Sequence, residues 1–251
     1  MSKVILGADM DKLYIIIPAY NESENIANVI EEWYPVVEKH SQQEARLVII
    51  DDGSKDDTYH ILCKYAKERP LLVALTKENS GHGATVLYGY QYALEQGADY
   101  IFQTDSDGQT VASEFDAFWE VRSDYDMVIG HREGREDGLS RIFVTKILKW
   151  VINFCFRVNV TDANTPFRLI KGQTLKEYIH LIPEGFNLSN VILAVIFEKY
   201  CKTKYMRITF RPRQGGKNSI NMKRIIKIGM GAIKDFITIE KTLEGYENAG
   251  K

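Results

Sequence analysis

"LYIIIPAYNES", residues 13 to 23, is an apolar run that ends in a polar turn. A run apolar at nearly every position suits a parallel strand covered on both faces. The turn behind it, "PAYNES", has no glycine, whereas a dinucleotide-binding first turn needs glycines to admit a pyrophosphate, and no P-loop occurs anywhere in the chain. The same alternation recurs downstream: "RLVIID" (46–51), "LLVALT" (71–76) and "DYIFQTD" (99–105), with helical patterns over 23–39, 56–68 and 83–96 between the runs. This βαβαβαβ order predicts an α/β fold, an open, mostly parallel sheet flanked by helices with a Rossmann-like N-terminal half. Ligands of such sheets bind outside the carboxyl ends of the strands. Four polar strand ends should therefore converge on one rim: Pro18-Ala19-Tyr20-Asn21-Glu22, Asp51-Asp52-Gly53-Ser54, Asn79-Ser80-Gly81-His82-Gly83 and Asp105-Ser106-Asp107.

After residue 130 the alternation stops. Patterning predicts a helix over 139–157, an extended piece over 165–171, a helix over 187–201, a strand over 204–211 and a last helix over 221–239. At 251 residues, 45% hydrophobic and 26% charged, the chain is expected to form a single domain, 1–251, with a flexible tail at 241–251. Cys63, Cys155 and Cys201 stand alone, which excludes a zinc-finger spacing or a disulfide framework and fits a reducing cytosol. "MSKVILGADMDK" is too acidic and too briefly apolar for a signal peptide, and no uncharged apolar window spans a bilayer, so a cytoplasmic location is expected. The net charge of −2 hides a dipole: residues 1–130 carry 10 Lys+Arg against 23 Asp+Glu, and residues 131–251 carry 22 against 11. Such a basic half either meets an anionic ligand or surface or is a solvated face.

Asp105, Asp107 and Gln109 put hard oxygen donors on one side of a turn, a set suited to Mg²⁺ or Mn²⁺ shared with substrate phosphates. Asp and Gly are also ordinary turn residues, and "DDGS" is an ordinary helix opening. Singly, each turn is ambiguous.

Jointly they are not. "IIIPAYNESENI", "VIIDDGSKDDT", "NSGHGATVLYGYQYA" and "TDSDGQ", in this order and spacing, resemble the family-two glycosyltransferases of the GT-A fold, over about the first 130 residues. The resemblance implies a metal-dependent inverting transferase acting on a nucleotide sugar. It implies that Pro18, Ala19, Tyr20, Glu22 and Asp52 hold the nucleoside, with Gly81 and Asp105 also on the nucleotide side. Asp105 and Asp107 correspond to the metal-chelating DXD-type motif, and Gln109 stands where the dolichyl-phosphate mannosyltransferase-like branch uses a third ligand. Gly81 and Gly83 are expected to let backbone approach the fourth strand or the diphosphate closely. His82, a lone loop histidine, reads as a bystander.

The second half carries the acceptor. "GHREGRED" supplies Arg132 and Arg135, and "FRPRQGGKNS" supplies Arg211, Arg213, Lys217 and Ser219 beside two glycines, a pattern suited to an anion such as phosphate, with solvated surface charge as the alternative. "TDANTPFRLIK" resembles a stretch of the polyprenyl-phosphate glycosyltransferases, which makes Asp162 and Arg168 candidates near the acceptor, although Pro166 departs from the family pattern. The expected partition is a nucleotide-sugar half, 1–130, and an acceptor half, 131–240. The expected reaction moves a sugar from a UDP- or GDP-sugar to a polyprenyl phosphate, with Asp107, Asp162, Arg132 and Arg135 as catalytic candidates. Asp162 is either a base, if the acceptor is a hydroxyl, or an orienting group, if it is a phosphate. Two alternatives stand beside this: transfer to a saccharide hydroxyl, and a non-catalytic sugar-nucleotide-binding protein. Residues 139–157 and 221–239 have apolar residues at 3- and 4-residue intervals with Lys and Arg beside them, so peripheral membrane contact competes with core packing there. No nucleic-acid partner is expected.

Overall fold

The structure, a computed structural model, describes residues 11–40, 44–132, 139–212, 233 and 235–246, with backbone only over 139–146. The apolar runs become β1 (Leu13–Ala19), β2 (Arg46–Asp51), β3 (Leu72–Thr76) and β4 (Tyr100–Gln103), joined by α1 (Ile26–Lys39), α2 (Thr58–Glu68) and α3 (His82–Glu95). Then follow α4 (Phe115–Glu120), β5 (Met127–Arg132), α5 (Leu139–Phe156), β6 (Arg168–Lys171), α6 (Gly172–Tyr178), α7 (Ser189–Tyr200) and β7 (Thr203–Ile208). A last helix, α8, covers 235–246.

All the strands lie in one seven-stranded sheet of order β3-β2-β1-β4-β6-β5-β7. Every pairing is parallel except those of β6, which runs antiparallel to both β4 and β5. Strand order reverses between β1 and β4, and in open α/β sheets the crevice for a ligand lies at such a switch point, outside the carboxyl ends where the "PAYNE" and "TDSDGQ" turns begin.

Alternation along the strands feeds two cores. Leu13, Ile15, Ile17, Leu47, Ile49 and Phe102 face α1, α2 and α4, while Ile16, Val48, Ile50, Ile101, Met127 and Ile129 face α3, α5, α7 and α8. In α1 the buried Ile26, Val29, Ile30, Trp33 and Val37 recur at helical spacing, which is why that segment packs as a helix on the sheet.

Three expectations change. The 204–211 strand ends at Ile208, because Thr209 and Arg211 turn their N–H groups away from the sheet, to Glu114 and to the Gln109 carbonyl. Residues 241–246, expected to open a flexible tail, continue α8, and Leu243 is buried in the core. β5 was not foreseen as a separate strand, since "MVIGHR" is short and half of it is polar. Most of the helix expected over 221–239 lies outside the described residues.

Candidate active site

The four strand ends meet, as their sequence order requires, and hydrogen bonds lace them together. The Asp52 N–H donates to the Ala19 carbonyl at 2.8 Å. Asn21, held at a φ of 54°, donates its N–H to Ser54 Oγ (2.9 Å) and accepts from the Lys55 N–H (2.8 Å). The Glu22 N–H donates to Thr58 Oγ1 at 2.9 Å, and the buried Glu22 carboxylate accepts from Asn25 Nδ2 at 2.7 Å. Pro18 and Ala19 are buried at the strand end, and Tyr20 alone of this turn's expected nucleoside-binding residues is exposed. A ligand resting on the rim at this point meets a phenol ring.

Asp52, expected at the nucleoside, is engaged within the protein. Both its carboxylate oxygens already accept from the protein: Oδ1 from the Lys77 ammonium and the Ser80 N–H (2.9 Å), Oδ2 from the Gly81 N–H (2.9 Å). Burial alone would raise its pKa, but Lys77 and the Ser80 N–H hold it below the usual carboxylate range, so it is a buried anion. Its geometry is that of a knot tying the second strand end to the third.

Gly81 and Gly83 also have a different neighbour from the one expected. A Cβ on Gly83 would lie 2.3 Å from the Phe186 carbonyl oxygen, and one on Gly81, at φ +89°, would lie 2.9 Å from Asn187 Oδ1. The close approach is to the turn before α7, and neither to β4 nor into open space for a diphosphate.

The fourth turn holds the metal candidates. Asp105 Oδ1 lies 3.0 Å from His82 Nε2, the Gln109 N–H donates to Asp107 Oδ1 at 3.2 Å, and Gly108 takes a φ of 69° between them. Gln109 Nε2 donates to the Arg211 carbonyl at 3.0 Å, which leaves its Oε1 as the acceptor end, turned away from that bond. Among the described residues Asp105 Oδ2 and Gln109 Oε1 have no protein partner, and no group of three or more His, Cys, Asp or Glu side chains is placed to hold a metal. Two carboxylates and an amide oxygen fit Mg²⁺ or Mn²⁺ when water and substrate phosphates complete the shell. His82, read as a bystander, touches one of these donors; nothing in its spacing signals this.

On the opposite side of the crevice Arg132, at the end of β5, donates from Nε and one Nη to Asp162 at 3.0 and 3.1 Å, and its guanidinium lies 4.7 Å above the Phe210 ring. Arg132 was expected as a phosphate ligand and Asp162 as a base or an orienting group; the two form a bidentate pair. Arg211 is likewise spoken for: it pairs with Glu32 at 3.2 Å, and its N–H reaches the Gln109 carbonyl at 2.7 Å. Arg168 is wholly buried, donating to the carbonyls of Ala163, Thr165 and Asn190 at 2.6 to 3.2 Å. It cannot touch an acceptor, and the expectation of direct contact is corrected to one of shaping the 163–165 turn. Arg135, Arg213, Lys217 and Ser219 lie outside the described residues.

An open α/β sheet with polar strand ends at a switch point, a DXD-type turn and a facing arginine is the arrangement of a GT-A glycosyltransferase. The family described as "Glycosyl transferase family 2" matches residues 14–179, and the chain belongs to it. Among its curated relatives, a dolichyl-phosphate beta-glucosyltransferase of Trichomonas vaginalis is 30% identical over 233 residues, covering 85% of this chain and 70% of the relative. An undecaprenyl-phosphate 4-deoxy-4-formamido-L-arabinose transferase of Pectobacterium carotovorum is 23% identical over 223 residues, 88% of this chain and 66% of the relative. The chain thus spans about two thirds of the length of these relatives. Among solved structures, glucosyl-3-phosphoglycerate synthase from Mycobacterium tuberculosis, in complex with Mn²⁺ and uridine-diphosphate-glucose, superposes with a TM-score of 0.62 at 15% identity, over 91% of this chain and 79% of that one. That likeness is one of fold.

Proposed function

We propose that this chain transfers a sugar from a nucleoside-diphosphate sugar, UDP- or GDP-linked, to a polyprenyl phosphate at the cytoplasmic face of a membrane, with inversion at the anomeric carbon. The donor lies in the β1/β4 crevice, its nucleoside against the Pro18–Tyr20 turn and its diphosphate toward Asp105 and Asp107. Mg²⁺ or Mn²⁺ held by Asp105, Asp107 and Gln109 would neutralise the charge that grows on the departing diphosphate. The names of the curated relatives, which are polyprenyl-phosphate sugar transferases, support the acceptor class.

The observation that carries the choice of acceptor is the Arg132–Asp162 pair. A saccharide hydroxyl needs a base to take its proton, but both Asp162 oxygens already accept from the Arg132 guanidinium, which directs the carboxylate to that partner rather than to an incoming hydroxyl. A phosphate monoester has a second pKa of about 6 and attacks as an anion without help. Arg132 and Asp162 then orient the acceptor side rather than move a proton, and the buried Arg168 fixes the turn behind Asp162.

The test offers a labelled nucleotide sugar together with a short-chain polyprenyl phosphate and a soluble saccharide in one reaction. Label in the lipid phosphate supports the reading. Label in the saccharide alone refutes the acceptor, and binding of the donor without transfer to either refutes catalysis.

A further inference from the structure

α5 carries large apolar side chains on its outer face. Trp150 is 67% exposed and Phe154 71%, their rings stacked at 5.6 Å and 13°, and Ile147 one turn earlier is 45% exposed. Positions 147, 150 and 154 form one stripe of the helix, roughly opposite the buried Ile152 and Phe156. A stacked aromatic pair left in water, on a helix whose other face is fully used by the core, is not needed for packing. α8 extends the surface: Phe236 packs on Phe156 at 5.4 Å, and Ile237 beside it is 48% exposed.

Along α5 the charges in the sequence have one sign, whereas α8 carries the exposed Asp235 close to Ile237. Between residues 139 and 161 the sequence holds Arg141, Lys146, Lys149 and Arg157 and no Asp or Glu, and Lys149 is exposed next to Trp150. A second protein copy would bring this same basic rim against itself, whereas an anionic lipid headgroup layer complements it. Tryptophan and phenylalanine above a basic fringe are also the side chains that settle at the boundary between headgroups and acyl chains. No helix among the described residues is long and apolar enough to cross a membrane, so a contact made by this stripe lies in the interface plane.

The stripe is tethered to the catalytic rim at both ends. α5 is 18 residues, about 27 Å long. It starts seven residues after Arg132 and ends six residues before Asp162, the two residues that pair with each other. Each link reaches at most about 25 Å fully extended, so neither end of the helix can lie far from the acceptor side.

We propose that Ile147, Trp150 and Phe154 of α5 form a docking surface for an anionic bilayer that brings the Arg132–Asp162 side of the crevice to the membrane. This deepens the proposed function and rests on it only for the reason why the crevice should face lipid.

The test is flotation with vesicles of phosphatidylcholine alone and of phosphatidylcholine with about one third phosphatidylglycerol, using the full chain and the Trp150→Ser/Phe154→Ser variant, at low and high salt. Both side chains are exposed, so the variant should keep its fold, checked by its melting temperature. The expected result is that the wild type floats with anionic vesicles, less so at high salt, and that the variant's partitioning falls on the order of tenfold or more. Transfer to a short-chain, water-dispersed polyprenyl phosphate should be unchanged in the variant. Equal flotation of both proteins, or none by the wild type, overturns the docking surface. So does a wild-type dimer that the variant makes monomeric without any vesicle binding. A wild type that floats but glycosylates no lipid phosphate would leave the docking surface standing and remove the proposed acceptor.

Discussion

At the scale of single residues, this site shows how often a charged side chain near a catalytic rim is occupied by its own protein. Asp52 is the clearest case. Its folded pKa is depressed, so its ionisation contributes stability at neutral pH, and this contribution is lost as pH falls through and below the ordinary carboxylate range. Asp52→Asn should cost about 2 to 4 kcal/mol, because the Lys77 ammonium loses its buried partner, and it should flatten the acid limb of the stability–pH curve. Urea melts at pH 7 and near pH 4 check both, and an unchanged acid limb would remove the knot. Arg168→Met should destabilise by about 3 to 5 kcal/mol by leaving buried carbonyls unpartnered. Lysine, with a point charge in place of a planar fork, should rescue little of it, and the same melts measure this. Sequence reasoning placed Asp105, Asp107 and Gln109 correctly on one turn because their spacing is local. It misread Arg168 because a buried guanidinium is rare and nothing in "PFRLIK" distinguishes it from a ligand-binding one. It could not see the Arg132–Asp162 pair, whose members are separated by the whole of α5.

At the scale of elements, the legible parts are those whose periodicity is continuous. The first four strands and the helices between them follow from apolar runs and turn chemistry, and their boundaries agree with the structure to within about three residues. β6 was foreseen as extended but its direction was not, since a strand of four residues does not encode whether its neighbours run with it or against it. The turn before α7 was invisible as part of the site, although Gly83 was singled out, because the contact that requires the glycine spans about a hundred residues of sequence. Gly83→Ala should force α3 away from the Phe186–Asn187 backbone. A loss of about 2 to 3 kcal/mol is expected, together with a raised KM for the donor, since His82 and the start of α3 stand beside Asp105. A thermal melt and steady-state kinetics check this. A variant with normal KM and stability would mean that the contact is slack.

At the scale of the whole molecule, the sequence is acidic in its first half, which holds the proposed metal donors Asp105 and Asp107, and basic in its second. A ligand that binds only the folded state raises its melting temperature. UDP- or GDP-sugars should therefore stabilise the protein in the presence of Mn²⁺, and Asp107→Ala should abolish both that metal-dependent shift and transfer. A full shift without metal, or in the variant, would contradict the metal role. The central claim is that the acceptor is its own anion. The measurement that reaches it most directly is the initial rate of sugar transfer to a short-chain polyprenyl phosphate between about pH 5 and pH 8, for the wild type and Asp162→Asn. The account predicts a rate that rises through the acceptor's second pKa near about 6, with the same inflection in the variant at a uniformly lower rate. An inflection that disappears in Asp162→Asn would make Asp162 the base, and would contradict the account.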